Sequence, residues 1–179
     1  MNLNAFLSHL PLFQGLPDEE MKALSEIAVD HPVKAGETIF VISNSGRNPE
    51  PIEVAMLARQ MGLHIIVVTS LTHSKSVGSR HSSGKKLYEF GDVVLDTAAP
   101  AGDACLSFKG LDVKAGAVST VLGAALLNAV MVEAIQHILD KGGHPPVLMS
   151  ANLDGNEEYN ARVMTSYERI VPGVFGMHT

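Results

Sequence analysis

Ser43, Asn44, Ser45, Gly46, Arg47 and Asn48 follow directly on the apolar run Ile39-Phe40-Val41-Ile42, and a helical pattern begins after Pro49. A strand that turns tightly into a helix leaves backbone N–H groups at the positive end of a helix dipole, a place that favours an anion. Two hydroxyls and a guanidinium at the same turn point to a phosphate. Gly46 lets the backbone approach that phosphate closely. The same residues also suit an ordinary βα turn in which Ser and Asn cap the helix.

A second group lies further on. Residues 72–86 contain Lys75, Arg80, Lys85 and Lys86 and no acidic residue, together with His73, His81 and, among several serines, Ser76. Such a loop can hold a sugar phosphate or move a proton through an imidazole. It also fits a solvated cationic loop. Glu133 and His137 are four apart in a long helical pattern and share a face. Aldose–ketose isomerisation needs a base between adjacent carbons, and either residue is suitable. A local i,i+4 contact explains the pair equally well. Asp96, Asp103, Asp112 and Asp154 lack the tight spacing of a metal site. Cys105 is alone, which excludes an intramolecular disulfide and a cysteine metal cluster. No metal and no cofactor is expected.

The elements that must position these groups alternate. Pro17 to Val29 reads as an amphipathic helix, with Asp18, Glu19 and Glu20 in its first turn and Met21, Leu24 and Ile27 on one face. A strand is expected at Thr38 to Ile42, a helix from Pro51 to Met61 stopped by Gly62, and a buried parallel strand from Leu63 to Val68. A loop over 70–86 leads to a third strand, Asp92 to Asp96. A long loop over 97–116 follows, then a helix capped by Ser119 and running to Lys141. A short fourth strand at Val147 to Met149 and a helix from Asn156 to Ile170 complete the pattern, before a tail from Val171 to Thr179. Strands separated by helices imply α/β architecture, a parallel sheet with helices on both faces. Ligands of such sheets bind beyond the carboxyl ends of the strands. Ser43, Thr69, Ser70 and Thr97 converge there.

Composition bounds the function. The chain has 179 residues, 46% of them hydrophobic, and a net charge of −6. The acidic balance argues against nucleic acid as a general partner. No basic segment followed by an apolar run opens the chain, and the lone thiol suits a reducing compartment, so a cytoplasmic protein is expected. Residues 121–139 are apolar, but Asn128, Glu133, Gln136 and His137 interrupt them. A buried core helix is expected there, not a membrane span.

The stretch SNSGRNPEPIE resembles the second phosphate-binding loop of sugar isomerase (SIS) domains, a Ser-x-Ser-Gly-x-Thr loop that holds a sugar phosphate. VVTSLTHSKSVGSRHSSGKKLYE, DTAAPAGDA, STVLGAALLNAVMVEAI and PVLMSANLDGNEEYN resemble an uncharacterised bacterial family of SIS-domain proteins, loosely related to phosphoheptose isomerases and muramic acid phosphate etherases. The resemblance covers about residues 37–170. It implies a three-layer α/β fold and a phosphosugar ligand held by Ser43, Asn44, Ser45, Gly46, Arg47 and Asn48, with Ser70, His73, Lys75, Ser76, Arg80 and His81 nearby. Asn48 stands where the superfamily usually has Thr. Related isomerases carry catalytic residues on helices near the sugar, a role open to Glu133 and His137, and SIS domains typically assemble as homo-oligomers. Some serve instead as non-catalytic sensing modules in regulators. The first 40 residues, with LSHLPLFQGLPDEEMKALSEIAVDHPVKAGETIF, resemble the start of a Crp-type cyclic-nucleotide-binding domain. Residues 1–36 therefore read as a helical leader, 37–170 as an SIS-like domain lacking its first βα unit, and 171–179 as a tail.

Overall fold

The structure, a computed structural model, describes residues 17–20, residue 22 and residues 33–168. The chain divides into two compact units, one of residues 33–143 and one that includes residues 144–168.

The larger unit is built on a parallel sheet of β1 (Thr38–Ile42), β2 (His64–Thr69) and β3 (Val93–Asp96), in that spatial order. Phe40 pairs with Ile66 and Val68 with Leu95. β2 is central and its Ile65, Val67 and Val68 are buried, which is why its sequence is apolar almost throughout. Helix α1 (Pro49–Gln60) covers one face. It has Pro in its first turn and ends at Gly62, whose φ of +74° suits glycine. Its Ile52, Ala55 and Ala58 meet Val41, Ile65 and Val67 of the sheet and Leu87 of a short 3-10 turn, Leu87–Phe90. The alanines keep helix and sheet close. Asp92 fixes the start of β3 by accepting the Ile65 N–H at 2.8 Å, while Arg59 of α1 donates to its other oxygen at 3.2 Å.

The opposite face is more open. Val68 is buried there, Phe40, Ile66 and Leu95 are half-buried, and Ile42 and Val93 are exposed. The mixed α/β architecture and parallel sheet agree with the sequence pattern.

Several elements differ from expectation. The loop over 70–86 contains a short helix, α2 (Leu71–Ser76), whose His73 N–H is capped by the Ser70 hydroxyl. The long segment after β3 carries an antiparallel pair, β4 (Ala104–Leu106) and β5 (Ala115–Ala117). Both are three residues long, Ala-Cys-Leu and Ala-Gly-Ala, too short for an alternation to mark them. Helix α3 (Ser119–Asp140) begins one residue beyond its N-cap, Val118, so Ser119 is its first helical residue and not its cap. Nor is α3 a buried core helix: of its residues only Gly123 is buried, and Val121, Leu122, Met131, Val132 and Leu139 are exposed. Its apolar residues are spread around the whole circumference, so packing along one flank hides few of them. By length and composition alone α3 could cross a membrane, a property it shares with core helices of soluble proteins.

In the second unit no strand forms at Val147 to Met149. Pro145 and Pro146 offer no N–H, and the Asn160 side chain of α4 (Asn156–Glu168) takes the place of a neighbouring strand. It accepts the Met149 N–H at 2.8 Å and donates to the Met149 carbonyl at 2.9 Å. Residues 18–20 and 22 are helical. The rest of the expected leader helix, with its Met21, Leu24 and Ile27, lies outside the described residues, as do residues 169–179.

Ile65 is fully buried in the central strand, whereas Ile42 is half-exposed at the end of an outer one. Ile65→Ala should therefore cost about 2–5 kcal/mol. Ile42→Ala should cost less than about 1 kcal/mol. Urea denaturation of the two variants measures the difference.

Candidate functional site

The parallel sheet delivers the ends of β1, β2 and β3 to one edge. Ser43 still pairs with β2, its N–H donating to the Val68 carbonyl at 3.0 Å, and the chain then turns. The Gly46 N–H donates to the Ser43 hydroxyl at 3.2 Å. Gly46 has φ +55°, and a Cβ there would lie 3.2 Å from Leu87 Cβ and 3.3 Å from Ser74 Oγ. Conformation and space both require glycine.

The loop is clasped from two sides. Asn44 O accepts from the Ser70 N–H at 3.0 Å and from Thr69 Oγ1 at 3.1 Å, and Asn44 Nδ2 lies 3.3 Å from His73 Nδ1. From the segment after α2, the Arg80 N–H donates to Arg47 O at 2.8 Å and the Leu87 N–H to Gly46 O at 2.9 Å. The Arg80 guanidinium donates to Asn48 Oδ1 at 3.2 Å. Two cationic side chains are thus held at one turn.

Its donors are not those of a simple helix start. Pro49 and Pro51 remove two N–H groups from the first turn of α1, and Asn48, its N-cap, makes no side-chain capping bond. The unspent donors lie in the loop itself: among the described residues, the Ser45, Arg47 and Asn48 N–H groups and the Ser45 hydroxyl make no hydrogen bond. Arg47 Nε is buried without a partner.

Beside the loop is a cleft of about 140 Å³, lined in part by Ser43, Asn44, Thr69, Thr97, Ser119 and Thr120. Asp103 shapes its α3 side. One carboxylate oxygen accepts the Val118 and Ser119 N–H groups at 3.1 and 2.7 Å, and the other accepts the Ser119 hydroxyl at 2.7 Å. The Ser119 hydroxyl is the main reason the Asp103 carboxyl is held below its ordinary range. Burial opposes the shift, while the two N–H groups and nearby His73 add to it.

The other expected site residues are placed differently. Ser70 is fully buried, and its hydroxyl donates to Ala99 O at 2.6 Å while capping α2. Lys75 and Ser76 are exposed on α2. His81 is packed against α1, with Nε2 3.8 Å from Glu53 Oε1 and Nδ1 2.7 Å from Ser83 Oγ. Glu133 and His137 are exposed on the distal half of α3. At ~1.5 Å per residue, Glu133 is about 21 Å along the axis from Ser119, so one chain does not bring the pair to the cleft. Among the described residues no three His, Cys, Asp or Glu side chains group as metal ligands. Sequence reading missed Thr120 and the Asp103–Ser119 contact. Ser119-Thr120 before an apolar helix reads locally as a cap, and nothing local joins them to a carboxylate across a hairpin.

Residues 17–70 match the sequence profile of the SIS domain. The chain is 41% identical over 155 residues to a UPF0309 protein of Geobacillus kaustophilus, covering 86% of this chain and 62% of that protein. It is 44% identical over 160 residues to one of Halalkalibacterium halodurans, covering 89% and 63%. A UPF0309 protein of Listeria innocua is 40% identical over 149 residues, covering 83% and 60%. The chain spans less than two thirds of the length of these curated relatives. Together with the fold, the matches support an SIS-domain protein similar to the UPF0309 proteins. The SIS match begins at Pro17, so it runs through the stretch up to Phe40. It is this likeness, and not the Crp-type one, that the comparisons support there.

Asp103→Ala should cost about 0.5–2 kcal/mol at neutral pH through loss of the cap. Because the folded-state pKa lies below the ordinary 3.8, the contribution is fully present above that value and is lost as pH falls through the lower one. Thermal melts at pH 7 should separate wild type from variant, and melts in strong acid should bring them together.

Proposed function

We propose that the chain binds a phosphorylated sugar, with the phosphate on the loop of residues 43–48 and the sugar in the adjoining cleft. Ser43, Ser45, Arg47, Asn48 and the backbone around Gly46 bind the phosphate, and Arg80 neutralises it. Asn44, Thr97 and Thr120 face the sugar. The observation that carries this reading is the clasp at Arg80: its own N–H and guanidinium tie a cation to a turn whose remaining N–H and hydroxyl donors are unspent. The likeness to SIS domains supports the same ligand class.

Binding is favoured over turnover. Isomerisation needs a base at the sugar carbons, and Glu133 and His137 lie far along α3 from the cleft. The isomerase reading holds only where a second copy in a homo-oligomer brings such a base to the site. A phosphorylated metabolite and a lone thiol accord with the cytoplasm.

The test is calorimetric titration with a hexose 6-phosphate, with the free hexose and cyclic AMP as controls. Replacing Ser43 and Ser45 together by Ala should weaken hexose 6-phosphate binding by about 3–6 kcal/mol, the value of two hydrogen bonds to a charged group. Neither control should bind. Unchanged affinity in the double variant would place the phosphate elsewhere.

A further inference from the structure

We propose that Lys86, which does not line the cleft, is the positioning residue of the phosphate loop: its ammonium joins the end of α2 to the segment that clasps Gly46. The inference rests on the reading of residues 43–48 as that loop.

Among the described residues Lys86 is the one charged side chain that is buried, at 8% exposure. A buried cation is costly unless its donors are satisfied. Among the described residues no carboxylate meets this ammonium. Its Nζ donates to the carbonyls of Ser74 and Val77, at the end of α2, where carbonyls have no partner within the helix. Its backbone N–H donates to Glu89 Oε2 at 2.6 Å, which fixes the following 3-10 turn.

The residues so joined are the ones that confine Gly46. Ser74 is fully buried, with its hydroxyl 3.3 Å from the point a Gly46 Cβ would occupy. Leu87, next to Lys86 in sequence, is also fully buried, lies 3.2 Å from that point, and donates its N–H to Gly46 O. Lys86 therefore holds together the two walls between which the loop is wedged. A methionine would fill similar space but leave two carbonyls facing an apolar side chain, and the clasp would loosen while the sheet beneath it kept its packing.

The experiment compares wild type, Lys86→Met, Lys86→Arg and Lys109→Met as full chains, reading amide exchange residue by residue and affinity for inorganic phosphate. In Lys86→Met, protection of the Leu87 N–H should fall about tenfold or more, with phosphate affinity falling by a similar factor, as expected for losing hydrogen bonds to a charged group. The Val67 N–H in β2 should keep its protection. Lys86→Arg, which retains a cation able to donate to both carbonyls, should recover Leu87 protection, and it carries the test if Lys86→Met does not fold. Lys109→Met, on the exposed hairpin, should match wild type. Unchanged Leu87 protection in Lys86→Met, or no recovery in Lys86→Arg, would overturn the proposal. So would an equal loss at Leu87 and Val67, which would make Lys86 a general stabiliser of the core. Absence of phosphate binding in wild type would refute the site reading, while the exchange data would still decide whether Lys86 holds the loop.

Discussion

The site depends on one constraint, the wedging of Gly46 between α2 and the 3-10 turn. Parallel pairing brings β1, β2 and β3 to a common edge, but it does not decide how the chain leaves β1. Gly46 does, because its left-handed conformation turns the chain where Ser74 and Leu87 leave no room for a Cβ. The hydrogen bonds from Leu87 and Arg80 can form only because the loop carbonyls are presented at that turn. An alanine there would be strained in conformation and would also push against Leu87.

That constraint explains why the loop and not the helix supplies the donors. Pro49 and Pro51 preset the first turn of α1 but remove N–H groups an anion would otherwise use. The unspent N–H groups of Ser45, Arg47 and Asn48 stand in their place, with Arg80 adding charge. The chain as a whole is acidic, so the charge of Arg47 and Arg80 at this edge is local, and on the proposed reading it suits a small anion better than a polyanion.

The core of this arrangement was legible in the sequence. The apolar run of β2, the Gly62 stop and the turn after Ile42 each carry a local signal, and the parallel order follows from their alternation. What was not legible depends on contacts between distant residues. Asp103 caps α3 from across a hairpin, and Asn160 replaces a strand neighbour for Met149. Ser70 and His81 have the chemistry of ligand residues, yet the Ser70 hydroxyl caps α2 and donates to Ala99 O, and the His81 ring lies between Glu53 of α1 and Ser83. Lys86 reads as one more surface cation in a basic run, and only the fold buries it. Glu133 and His137 share a helix face, yet periodicity says nothing of their distance from Ser43.

The most direct measurement of the central claim is a two-dimensional amide NMR titration with a hexose 6-phosphate. The account predicts that the largest shifts fall on Ser45, Gly46, Arg47 and Asn48, with smaller ones at Arg80 and Thr120, and that Glu133 and His137 do not move. Saturating shifts centred on another part of the chain, with the 43–48 amides unchanged, would contradict it.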